Sequence, residues 1–134
     1  MRQQVQDQVT RSEAVFRASV EVALATTTAW RGKAGDLVNM NSLKSLPPTD
    51  NLILPYTVVE AAAAIDFGMA MKLSAALGQM GLARAAFEST RSVDNRDGKN
   101  SGHFARAGEE AATHLDAATE LLQEVALFLG KYKP

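Results

Sequence analysis

From Phe104 to Leu129 the chain places Phe104, Gly108, Ala111, Leu115, Ala118, Leu122, Val125 and Leu129 at alternating steps of four and three. That spacing keeps one narrow stripe on one side of an α-helix for about seven turns, and such a stripe is buried only against other helices. The expected architecture is therefore all-α. The remaining segments decide how many helices share the core.

Arg2 to Trp30 carries a second stripe, through Val5, Val9, Ser12, Phe16, Val20, Ala23, Thr27 and Trp30. Gly32 is the expected stop, and the β-branched run Thr26-Thr27-Thr28 is expected to weaken the last turn. From Gly32 to Pro55 the pattern gives way to Pro47-Pro48, Pro55 and scattered Asn, Ser and Asp, which is turn chemistry. Asp36 to Met40 has the composition of a short helical turn. The leucines at 43, 46, 52 and 54, with Ile53, point to an ordered crossover packed on the bundle rather than a loose linker.

Thr57 and Glu60 have the spacing of a capping box and mark a helix start. From Val58 to Leu77 apolar residues occupy nearly every face, the pattern of a central buried helix. Glu60, Asp66 and Lys72 interrupt it, and with so much alanine the segment is no membrane span. Gly78 and Gly81 are expected to loosen or end it, and Leu82 to Thr90 resumes helical composition; residues 57–92 read as one kinked helix or two. Ser92 to Gly102 is polar and turn-rich, and the last helix ends at Gly130, with Lys131 and Lys133 suited to its C-terminal dipole. The sum is a single domain over 1–134, an antiparallel bundle of about four helices.

Composition narrows function. The chain has no cysteine, which removes disulfides, thiolate metal sites and cysteine nucleophiles. Fourteen Lys and Arg against fifteen Asp and Glu leave no broad cationic field for nucleic acid or acidic membranes, and a near-neutral surface favours self-association. The polar start, Met1 to Gln8, lacks the apolar run of a signal peptide, so a cytoplasmic location is the expectation. His114 lies four residues after Glu110, one turn along the same face, which reads as a solvated ion pair. No Glu-x-x-His pair accompanies it, so no metal or other cofactor is expected. Asp66 in the apolar helix is either a functional carboxylate or a residue at the helix's wet edge. Met69, Met71, Met80, Phe67 and Phe87 are a candidate small-ligand pocket or plain core.

One further constellation stands at the polar turn before the last helix: Arg96-Asp97-Gly98-Lys99-Asn100-Ser101-Gly102-His103. Its arginine and histidine, separated by six residues beside a final long helix, resemble the HEPN superfamily of small helical domains. Asp97 matches the polar residue that often follows the family's arginine, and Ala61 to Leu73 looks like its second-helix pattern. The resemblance implies a metal-independent endoribonuclease of toxin or defence type acting as a dimer, or an inactive RNA-binding relative. In that reading Arg96 neutralises charge on the phosphate and His103 exchanges protons with the ribose 2′-hydroxyl. Ala105 stands where many members have tyrosine, and Gly98 and Gly102 loosen the turn. Arg91, Arg96 and Lys99 are offset by Asp94 and Asp97, so no strong basic patch accompanies the motif.

The leading expectation is a non-enzymatic bundle that works by association, as a homodimer or higher homo-oligomer and with a further protein partner. It rests on long alanine-rich seams, low net charge and sparse chemistry. RNA is a partner only under the HEPN-like alternative, and no membrane is expected.

Overall fold

A computed structural model describes residues 2–39, 47–93 and 98–131, with side chains from residue 13 onward. Among them are four helices and no strand: α1 Arg2–Val38, α2 Tyr56–Ala63, α3 Phe67–Glu88 and α4 Ser101–Lys131. α4 is the central element and packs extensively on both α1 and α3. Its predicted stripe is the buried one: Gly108, Ala111, Leu115, Ala118, Leu122, Val125 and Leu129 all face inward, and only Phe104 is half-buried.

Cross-helix contacts fix the directions. On one side of α4, Thr119 meets Thr27 at 3.2 Å, Asp116 meets Arg31 at 2.9 Å, and Gly108 lies against Ala34. On the other, Glu124 meets Lys72 at 3.4 Å, His114 meets Gln79 at 2.7 Å, and His103 meets Ser89 at 3.1 Å. In both series one number rises as the other falls, so α4 runs antiparallel to α1 and to α3. At Gly108 the α1 and α4 backbones come close together; a Cβ there would lie 2.7 Å from the Ala34 carbonyl oxygen.

The fourth column of the bundle is a composite. From Pro47 to Pro55 the chain descends from the end of α3 as a non-helical strap that buries Leu52 and Leu54 while exposing Ile53. The two-turn α2 then completes the column, burying Val58, Val59 and Ala62 against α3. Leu43 and Leu46, the other expected anchors of this crossover, lie outside the described residues.

Several expectations are corrected. α1 does not stop at Gly32 but continues to Val38, because Trp30, Ala34 and Leu37 carry the same buried stripe past it. The threonine run does not fray the helix: Thr26, Thr27 and Thr28 turn their hydroxyls back onto the carbonyls of Val22 and Leu24. The capping box at Thr57 does not form; α2 begins after Pro55 with no side-chain cap. The helix expected from Val58 to Leu77 is broken at 64–66, and α3 runs straight through Gly78 and Gly81 to Glu88. Asp66 supplies the reason for the break. It adopts an extended backbone, and its carboxylate accepts from the amide of Met69 at 2.9 Å, making it the N-cap of α3 rather than a wet-edge or catalytic carboxylate.

Candidate functional site

The turn entering α4 is built to hold His103. Gly98 takes a left-handed φ of 76°, which glycine adopts without a Cβ penalty, and Ser101 donates its hydroxyl to the Gly98 carbonyl at 2.8 Å. The His103 amide then donates to the Asn100 carbonyl, and its ring packs edge-on to Phe104. Ring Nε2 lies 3.1 Å from the carbonyl of Ser89, the C-cap of α3. A carbonyl only accepts, so Nε2 carries hydrogen there and Nδ1 of the neutral ring is left as an acceptor. Arg96 and Asp97, the other residues of the HEPN-like motif, lie outside the described residues. Of the three, the structure therefore places His103 alone, half-buried at the α3–α4 corner.

His114 is not the exposed mate of Glu110. Its Nδ1 meets the Gln79 side-chain oxygen on α3 at 2.7 Å and helps join two helices. Among the described residues no group of three His, Cys, Asp or Glu could hold a metal. The methionine and phenylalanine cluster is divided: Met69, Met80 and Phe87 are core, whereas Phe67 and Met71 point outward and line no common cavity with them.

A polar network that sequence reasoning missed pins the strap to α3. Thr49, almost fully buried, donates to Glu88 at 2.7 Å and accepts from Arg84 Nε at 3.0 Å. Arg84 also reaches Asp50, and Arg91 holds Glu88 through two nitrogens while donating to the Pro47 carbonyl. The Arg91 guanidinium, then the Thr49 hydroxyl, hold the Glu88 carboxyl down to about 2. Asn51 accepts from the Trp30 indole at 3.2 Å, so the strap is tied to α1 as well. A part of the signal was present as Arg84 and Glu88 one turn apart on α3, with Arg91 three residues on in the turn that follows. This network fastens the strap to the helices.

Besides a shallow apolar depression of about 570 Å³ at the end of α4, lined by Gln123, Ala126, Leu127, Gly130 and Lys131, two surfaces remain. An open groove of about 410 Å³ between α1 and α4 is lined by Arg31, Val38, Glu109, Thr113 and Asp116, with the Arg31–Asp116 ion pair across it. The other is the outward side of α3, where Phe67, Met71, Ala75, Gly78, Leu82 and Ala85 are all exposed at steps of four and three. The large members stand well clear of the core, with Phe67 at 73%, Met71 at 59% and Leu82 at 51% exposure. Lys72 borders this strip and is drawn to Glu124 of α4. A helix apolar on every side is ordinarily enclosed on every side. Here one side of α3 faces solvent.

No helix among the described residues is long and apolar enough to cross a membrane. No known family, curated protein or solved structure matches the chain.

Proposed function

We propose that this chain acts by association, with a second copy of itself first and with a further protein partner through the same kind of contact. The observation that supports the reading is the uncharged outward strip of α3, which runs about five turns on a helix whose other sides are already packed. Extended apolar strips of this kind mark interaction surfaces. A sequence net charge of −1 leaves little overall repulsion between copies. Sedimentation of the purified protein over a wide concentration range tests the reading: a mass that rises with concentration is expected, and a monomer throughout refutes self-association.

A second reading is a HEPN-like ribonuclease or its inactive RNA-binding relative. What favours it is His103, half-buried in the first turn of the last long helix with Nδ1 left as an acceptor. RNA incubated in chelator with wild-type protein and with His103→Ala separates the cases. Cleavage lost in His103→Ala and in Arg96→Ala supports an active site, and intact RNA with wild type removes cleavage from consideration.

A further inference from the structure

Gly78 lies at the middle of α3, exposed, and a Cβ added there would meet nothing within 4 Å. Packing inside one copy therefore makes no use of a glycine at this point, although glycine weakens a helix interior. A glycine centred on an apolar helix face does permit a second backbone to approach closely. We infer that the occupant of the α3 face is α3 of a second copy, lying antiparallel across a two-fold axis at Gly78; this rests on the association reading above and specifies its geometry.

Two observations choose this occupant, and a third sets the strength of the contact. The first is self-complementarity, which a two-fold contact requires. Met71 and Ala85 stand at equal sequence distance on either side of Gly78, so antiparallel helices bring Met71 of one copy against Ala85 of the other, and Leu82 against the exposed Ser74 and Ala75. Large side chains thus meet small ones, and Gly78 faces Gly78 where the backbones cross.

The second is charge. The outward face of α4 carries Glu109, Glu110, Glu120 and Glu124, so α4 laid on its own copy would set acid against acid. The α3 strip has no charged member, and its bordering Lys72 has Glu124 of its own chain as a neighbour.

The third is area. Phe67 to Ala85 spans about 27 Å of helix, and one helix is about 10 Å across, so the strip alone falls short of the roughly 800 Å² per partner of a standard interface. The contact is therefore a small one. A reversible dimer in the micromolar range is the matching affinity.

The absence of native cysteine gives a direct test. Like residues at a two-fold axis fall within disulfide reach, with Cα atoms about 4.4–6.8 Å apart. Gly78→Cys, which has open space for its side chain, should oxidise to a covalent dimer, while Ala25→Cys on the exposed side of α1 should not. In parallel, Leu82→Glu should weaken the dimer by at least about tenfold, the effect of losing one central interface side chain, with its helical melting curve unchanged because Leu82 is exposed in the single copy. If wild type associates but Leu82→Glu associates equally and Gly78→Cys cross-links no better than Ala25→Cys, the α3 face is overturned while the association reading stands. If wild type sediments as a monomer at every concentration, the association reading fails and the α3 dimer with it.

Discussion

Gly108→Ala adds a single methyl group where α4 lies tight against α1. The new Cβ would lie 2.7 Å from the Ala34 carbonyl oxygen and 2.9 Å from both Leu37 Cβ and Val38 Cγ2. Carbon atoms in good contact sit about 3.5–4.0 Å apart, so the two helices must separate by several tenths of an ångström or more. Two of the obstructing atoms are main-chain or Cβ atoms, which no rotamer change can move aside. Overpacking of this sort costs about 1–3 kcal/mol, and alanine's better helix propensity returns about 0.8–1 kcal/mol. The net loss is about 0–2 kcal/mol, or a fall in Tm of up to roughly 10 °C for a domain of this length. Gly32→Ala is the matched control. It also lies within a long helix, but its Cβ meets nothing within 4 Å, so propensity acts alone and Tm should rise by a few degrees. Thermal melts followed by circular dichroism at dilute, monomeric protein compare the two directly. A Gly108→Ala protein whose Tm rises as much as that of Gly32→Ala would refute the close approach of α1 and α4.

Glu88→Gln should lower Tm at neutral pH. The folded carboxyl sits at about 2 against an ordinary 4.5, so its contribution is complete above about pH 4.5 and is lost as pH falls toward 2; melts of the two proteins should converge across that window. Asp66→Ala removes the cap of α3 and should cost about 1 kcal/mol by urea titration, whereas Thr57→Ala, whose side chain caps nothing, should cost only a few tenths. Thr49→Val leaves Arg84 and Glu88 without their shared hydroxyl and should cost about 1–3 kcal/mol. Because Asn51 of the same strap holds the only tryptophan, Trp30, emission from that indole should shift in Thr49→Val before the helical signal is lost.

What could be read from the sequence follows from how sharply each helix separates its two sides. α4 has bulky aliphatic residues on one side and charges on the other, and its stripe was legible almost residue by residue. α3 has alanine, glycine and methionine all around, so periodicity gave no buried side and suggested enclosure that one face of the helix does not have. In the same stretch Thr57–Glu60 and Asp66 both offered capping chemistry. Pro55 already lacks an amide hydrogen and starts α2 with suitable φ, leaving Asp66 as the cap that is used. Gly32 misled because a lone glycine stops a helix only when the buried stripe ends with it. The histidines were visible as candidates, but their partners, the Ser89 carbonyl and Gln79, belong to another helix and leave no local pattern. The Thr49 network was hidden for the same reason, since its members stand 34 to 44 residues apart along the chain.

The central position of α4 also sets an order of events during synthesis. α1 and α3 touch each other little apart from the Trp30 and Phe87 rings, whose centroids are 4.9 Å apart; both bury their stripes mainly on α4. On the ribosome α1 emerges well before its partner. At about 5–20 residues per second, the chain between Val38 and Lys131 takes roughly 5–20 s to make. Throughout that interval Phe16, Val20 and Trp30 have no α4 to cover them, and the core closes only once α4 itself has been made.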